Sequence, residues 1–233
     1  MSLKELPRID RLGLAELVLP EFHPESATDP VSPVFAYVIH HPDGPVLVDT
    51  GVGRGNEFLD EVYQPTVTDL GEALAHVGVD ERDVVAIVNS HLHFDHCGQN
   101  PRFYGLGVPI YVQAAEIQAA REPFYTDPAW ASVPNDQLRQ LDGDESLTEG
   151  IRIVATPGHT AGHQSMVIEG GAELAVIAAQ CVWRVSEFET ANPSAGNVGE
   201  DLWNAGTDSI RRLRSFDPSV VYFSHDETTY HRK

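Results

Sequence analysis

The sequence predicts one α/β domain spanning residues 1–233, built from two sheets with helices on the outer faces. Three observations lead there. Strand-like and helix-like stretches alternate twice in a similar order, each half carries a hairpin, and each half places histidines directly after an apolar, strand-like run. No linker long enough to mark a domain boundary interrupts the chain, nor does any short-period repeat or low-complexity tract.

The first half opens with "LGLAELVL" near residues 12 to 19, whose β-branched and aliphatic content predicts a strand. "VFAYVIHHPDGPVLVDTG" follows as two apolar runs joined through Pro42, Asp43 and Gly44, a hairpin ending at Asp49. Residues 69–77 put Leu70, Ala73, Leu74 and Val77 on one helical face, with Asp69 as N-cap, Glu72 three later and Gly78 as the stop. "VVAIVNS" and "PIYV" (109–112) are strands, and a helix starts at Ala114.

A loop rich in proline and aromatic residues, 121–136, separates the halves, and its Phe124, Tyr125 and Trp130 form either an apolar wall for a ligand or a cover over their own core. Beyond it, "IRIVATPG" is a strand running into a turn, and "QSMVIEGGAELAVIAAQ" is a second hairpin turning at Gly170 and Gly171. Residues 201–215 form a helix with Leu202, Ile210 and Leu213 on one face and Arg211, Arg212 and Arg214 at its dipole-favoured C-terminal end. The final strand is "VVYFSHD".

An apolar fraction of 42% over 233 residues supports an ordinary packed core. With 35 acidic against 15 basic side chains, the surface repels nucleic acid and anionic membrane, so neither is an expected partner. Cys97 and Cys181 are too few for a disulfide framework and are expected as thiols. "MSLKELPRID" carries charges where a secretory leader needs apolar residues, and no apolar run approaches spanning length; a cytoplasmic location is the expectation.

The most informative stretch is "NSHLHFDHCG", residues 89–98, which packs three histidines and an aspartate into six residues just after a strand. On an extended backbone His91 and His93 point one way while Leu92 points into the core, and a turn after Phe94 aims Asp95 and His96 at a neighbouring point. Chance places H-x-H-x-D-H in roughly 0.2% of chains of this composition. Imidazole nitrogen and carboxylate oxygen together suit zinc or another divalent transition metal. Downstream, "TPGHTAGHQS" sets His159 and His163 after another strand, and "YFSHD" sets His225 after the last one. Ligands at the ends of several strands are how a rigid scaffold builds such a site. His163 reads as a hydrogen-bonding residue, and His23, His40, His41, His76 and His231 as solvated or locally paired.

The order "VLVDTG", "HLHFDHCG", "TPGHTAGHQS", "FSHD" resembles the metallo-β-lactamase superfamily over roughly residues 34–226, and its spacing is most similar to the N-acyl-homoserine lactonase branch. The resemblance implies an αβ/βα sandwich of two mixed sheets with helices on the outer faces and two metals at the sheet edges. It implies His91, His93 and His159 at the first metal, Asp95, His96 and His225 at the second, and a metal-bound hydroxide as nucleophile with Asp95 orienting it. Asp49 matches the family's strand-end aspartate behind the ligands.

Two positions depart from the family. Where a glycine-aspartate pair normally supplies a carboxylate bridging both metals, this chain has Ala179 and Gln180. A neutral amide oxygen cannot bridge two cations as a carboxylate does. Two zinc ions with Asp95 and one hydroxide then leave about +2 rather than about +1, so the second ion is expected to bind more weakly. Two metals held by hydroxide alone, one metal at the three histidines, and a different ion all fit, and Gln180 is retained as a metal-site candidate. Cys181 next to it reaches the site only if a bulge turns it inward. Three positions after Gln180, Trp183 stands where branch members commonly carry a tyrosine touching the lactone carbonyl; it is either a substrate-contacting catalytic residue or core packing.

The expected activity is metal-dependent hydrolysis of a small-molecule lactone of the N-acyl-homoserine-lactone kind or a related ester, with zinc as cofactor, one or two per chain. Thioester or other carboxylic-ester hydrolysis is the alternative within the superfamily. A non-catalytic metal or ligand binder is the alternative outside enzymology, motivated by Gln180.

Overall fold

The computed structural model describes residues 3–194, 196 and 199–232. Two mixed sheets flanked by helices make an α/β sandwich. Two compact units divide the chain, one of residues 8–140 and one of residues 1–7 with 141–233.

The first unit contains β1 (Ile9–Val18), β2 (Val31–His41), β3 (Gly44–Val48), α1 (Glu57–Tyr63), β4 (Thr66–Val67), α2 (Leu70–His76), β5 (Ala86–Val88), α3 (Phe94–Cys97), β6 (Ile110–Gln113), α4 (Ala114–Ala119), α5 (Pro128–Ala131) and β7 (Leu138–Leu141). Its sheet runs β4-β1-β2-β3-β5-β6-β7. The β2–β3 hairpin turns at Pro42 and Asp43 with His41 opposite Gly44, as its sequence predicts. β3 and β5 pair in parallel with Val48 opposite Val88, which sets Asp49 beside Asn89 and Ser90 at adjoining strand ends. α2 begins where Asp69 accepts from the Glu72 N–H at 3.1 Å, buries Leu70 and Leu74, and ends before Gly78 at φ 78°.

The loop 121–136 is not wholly irregular, because Asp127 caps α5 by accepting from the Ala129 N–H at 2.8 Å and Pro128 takes the first helical position. Of the aromatic trio, Trp130 packs into the core with Leu92, Cys97 and Phe103, Tyr125 lies half-buried against it, and Phe124 is 92% exposed. The three therefore form no common wall.

The second unit contains β8 (Glu145–Thr148), β9 (Ile151–Ala155), β10 (Gln164–Gly170), β11 (Glu173–Ala179), α6 (Val185–Thr190), α7 (Glu200–Ser215), β12 (Val220–Phe223) and β13 (Tyr230–His231), with strand order β13-β12-β11-β10-β9-β8. The β10–β11 turn falls at Gly171 and Ala172, one residue later than expected, because Gly170 still pairs with Glu173 and Gly171 takes the left-handed conformation at φ 63°. α7 buries Ile210 and Leu213, half-buries Leu202, and carries Arg212 and Arg214 in its last turn. β11 and β12 run parallel with a register irregularity between Ile177 and Ala179, and Ala179 sits at φ 50°. The strand geometry is thus broken immediately before Gln180.

Candidate metal centre

β5 delivers the chain into "SHLHFDHC", and the alternation expected there holds. Leu92 is buried in the core of the first unit while its neighbours His91 and His93 converge, His91 Nε2 lying 3.0 Å from His93 Nδ1. Two nitrogens bound to one tetrahedral cation at about 2.0–2.1 Å stand roughly 3.3 Å apart, so this pair is spaced as ligands of one ion. α3 then turns Asp95 and His96 together, with Asp95 Oδ2 3.5 Å from His96 Nε2. His91, Asp95 and His96 are buried and His93 half-buried, forming a buried histidine and aspartate cluster able to bind metal.

Asp49 organises this cluster from the end of β3. It adopts φ 64°, a conformation aspartate tolerates better than most residues. Its carboxylate accepts from the Ser90 N–H at 2.6 Å and the Ser90 hydroxyl at 2.7 Å, and lies 2.8 Å from His96 Nδ1. A proton held on Nδ1 by that carboxylate leaves Nε2 as the nitrogen whose lone pair can take a cation. Having donated to Asp49, Ser90 Oγ is placed to accept from His91 Nδ1 at 3.1 Å, which directs His91 Nε2 in the same sense. Burial pushes the pKa of His93 down, with the charges of Asp95 and Glu116 acting against it. A neutral imidazole is the form a cation requires.

Backbone anchors complete the loop. The Thr50 N–H donates to the His96 carbonyl at 2.7 Å, and Asn100 Nδ2 donates to Asn89 Oδ1 at 2.9 Å beneath α3. Gly98 follows because a Cβ there would sit 1.9 Å from the Gly53 nitrogen. Sequence reading identified Asp49 but passed over Ser90, although it stands inside the histidine motif, and Glu116, whose Oε1 accepts from the Leu92 N–H at 2.8 Å.

In the second unit, His159 lies in the turn after β9, and Ser209 on α7 steadies that turn by donating to the Pro157 carbonyl at 2.7 Å. His163 is buried with Nδ1 2.9 Å from Thr156 Oγ1 and 3.1 Å from the Thr156 carbonyl, a hydrogen-bonding role as expected. His225 follows β12 and stacks on Trp183, ring centroids 4.1 Å apart and planes 12° off parallel. Gln180 is 4% exposed, and its Oε1 has no hydrogen-bond partner among the described residues.

The cysteines are both buried thiols. Cys181 packs in the second unit's core, where burial pushes its pKa up to about 12, disfavouring the thiolate a metal would need. Cys97 donates to the Leu92 carbonyl at 3.4 Å. His40 lies 2.7 Å from Asp10 Oδ2, and His41 Nδ1 accepts from the Asp43 N–H at 3.1 Å, the local pairing expected of histidines outside the motif.

Known proteins share this arrangement of sequence and fold. The family model described as "Metallo-beta-lactamase superfamily" matches residues 29–225. An N-acyl homoserine lactonase from a Bacillus species is 34% identical over 214 residues, covering 83% of this chain and 81% of that protein. The N-acyl homoserine lactonase AiiA of Bacillus thuringiensis subsp. kurstaki is 33% identical over 214 residues with the same coverage. Among solved structures, an N-acyl homoserine lactone hydrolase with the product N-hexanoyl-L-homoserine bound at its catalytic metal center superposes with TM-score 0.77 at 28% identity, covering 97% of this chain and 95% of that one.

Proposed function

The chain belongs to the metallo-β-lactamase superfamily, and we propose that it is a zinc-dependent hydrolase that opens a lactone of the N-acyl-homoserine-lactone kind or a closely related ester. The observation that carries this reading is the buried pairing of His91 with His93 and of Asp95 with His96, held by Asp49.

In this reading His91, His93 and His159 hold one cation, and Asp95, His96 and His225 hold a second. What supports the grouping is that all six residues fall within the family match over residues 29–225 and that the His91–His93 and Asp95–His96 pairs each converge. Gln180 adds a neutral carbonyl oxygen to the second position, supported by its buried Oε1 without a hydrogen-bond partner. A divalent cation bound by these residues would supply a water of lowered pKa and would polarise the carbonyl to be attacked. Asp49 keeps the His96 proton on Nδ1, Asp95 holds the attacking water by accepting its hydrogen, and Trp183 orients His225 and offers its indole N–H to the substrate.

The family match spans both compact units, which supports taking residues 1–233 as one domain. Among the described residues no helix is long and apolar enough to cross a membrane. We place the protein in the cytoplasm, a reading supported by its two buried free thiols.

The test is a panel of N-acyl-homoserine lactones, thioesters, aryl esters and a β-lactam offered to protein of defined zinc content. Ring-opened hydroxy acid from a lactone, formed faster than any other product, is the expected result. Faster thioester or aryl-ester cleavage would move the substrate class, and no turnover of any substrate by zinc-loaded protein would leave a metal or ligand binder.

A further inference from the structure

We propose that Glu116 and Tyr125 act as a positioning pair for the three-histidine cation site, fixing His93 through its backbone neighbour and through its ring. The inference rests on His93 being a ligand, as read above.

Glu116, on α4, is 0% exposed. A carboxylate at such a position is costly unless its oxygens are engaged, and an apolar side chain of similar volume would serve packing better. Its Oε1 accepts two hydrogen bonds, from the Leu92 N–H at 2.8 Å and from the Tyr125 hydroxyl. The first fixes the peptide lying between His91 and His93, so the spacing of the two converging nitrogens is set from outside the motif. The second fixes Tyr125, whose ring lies 4.5 Å from the His93 ring at an interplanar angle of 43°. Rotation of the His93 imidazole therefore meets an aromatic ring that is itself tethered to the carboxylate holding the backbone.

One oxygen thus controls both degrees of freedom that decide where His93 Nδ1 points: the backbone that carries the residue and the torsion that turns its ring. Partners of this kind behind metal ligands typically change metal affinity ten- to a hundred-fold when altered. α4 and the loop 121–127 lie outside the histidine motif, which is why the motif alone does not reveal them.

Two nearly isosteric variants test the pair. Tyr125→Phe removes the hydroxyl and keeps the ring; Glu116→Gln keeps the acceptor oxygen but removes the charge. Cobalt(II) titrated into metal-free protein, followed by its visible absorption and by competition with a chelator, gives the affinity of each site and a spectroscopic record of its geometry. Melting of the metal-free proteins provides the structural control. We expect both variants to bind the first cobalt about tenfold more weakly with an altered visible spectrum. If wild type binds cobalt and both variants bind it within twofold with the same spectrum, the inference is overturned, even if their metal-free melting temperatures fall. Failure of wild type to bind cobalt at all would instead remove His93 as a ligand and the inference with it.

Discussion

The indole of Trp183 lies face to face with the imidazole of His225, so the ring proposed to hold the second cation is braced by an aromatic side chain from its own unit. A stacked pair of this kind contributes about 0.5–1.5 kcal/mol beyond area burial. Trp183→Ala should weaken the second cation roughly threefold to tenfold, while Trp183→Phe, which restores an aromatic face, should recover most of the loss. Stepwise zinc titration of metal-free protein reads this directly, and equal second-site affinity in all three proteins would make the stack mere packing.

Asp49 makes a sharper prediction because it holds His96 Nδ1 and both donors of Ser90. Asp49→Asn keeps a residue that tolerates its φ of 64° but removes the charge that pins the His96 proton. The second cation should be lost by about ten- to a hundred-fold in affinity with the circular dichroism spectrum unchanged. Retention of wild-type affinity would mean that His96 is oriented by other contacts.

Gln180→Asp supplies the carboxylate that relatives are expected to use as a bridge and removes one unit of excess positive charge. Even heavily screened, that change should tighten the second cation tenfold or more. Its effect on the metal-free fold should be opposite in sign, since a buried carboxylate without a cation is costly. Unaltered affinity would show that Gln180 points away from the metals.

The loop 121–136 predicts a contrast in stability. Trp130, 7% exposed in the core, should cost about 3–5 kcal/mol when replaced by alanine. Phe124, 92% exposed, should change stability by no more than about 0.5 kcal/mol. Denaturant unfolding of the metal-free proteins measures both, and a large loss from Phe124→Ala would mean the loop packs differently.

These contrasts mark where the sequence was readable. Strands with aliphatic alternation, the Asp69-capped helix and the inward Leu92 were all legible because local pattern and burial agree there. The edge strands β4, β7, β8 and β13 were missed: "ESLT" at 145–148 has no apolar alternation, and it is held in the sheet by pairing with β9 alone. α5 was missed although Asp127 followed by Pro128 is a helix-start signal, because four residues are too few to show a helical period. Both histidine clusters and Asp49 stood out by residue type. Glu116 did not, since a glutamate in a helix reads as solvated and only tertiary packing buries it.

Lactone hydrolysis by this chain is proposed to depend on a cation held by His91 and His93 beside the Asp95–His96 pair. Its most direct test follows N-acyl-homoserine lactone ring opening as zinc is added stepwise to chelator-stripped protein. Negligible turnover is expected without metal, with activity rising over the first one to two equivalents and flat thereafter, and with that rise lost in His93→Ala. Full activity in stripped protein, or zinc uptake without lactone opening at any loading, would contradict this proposal.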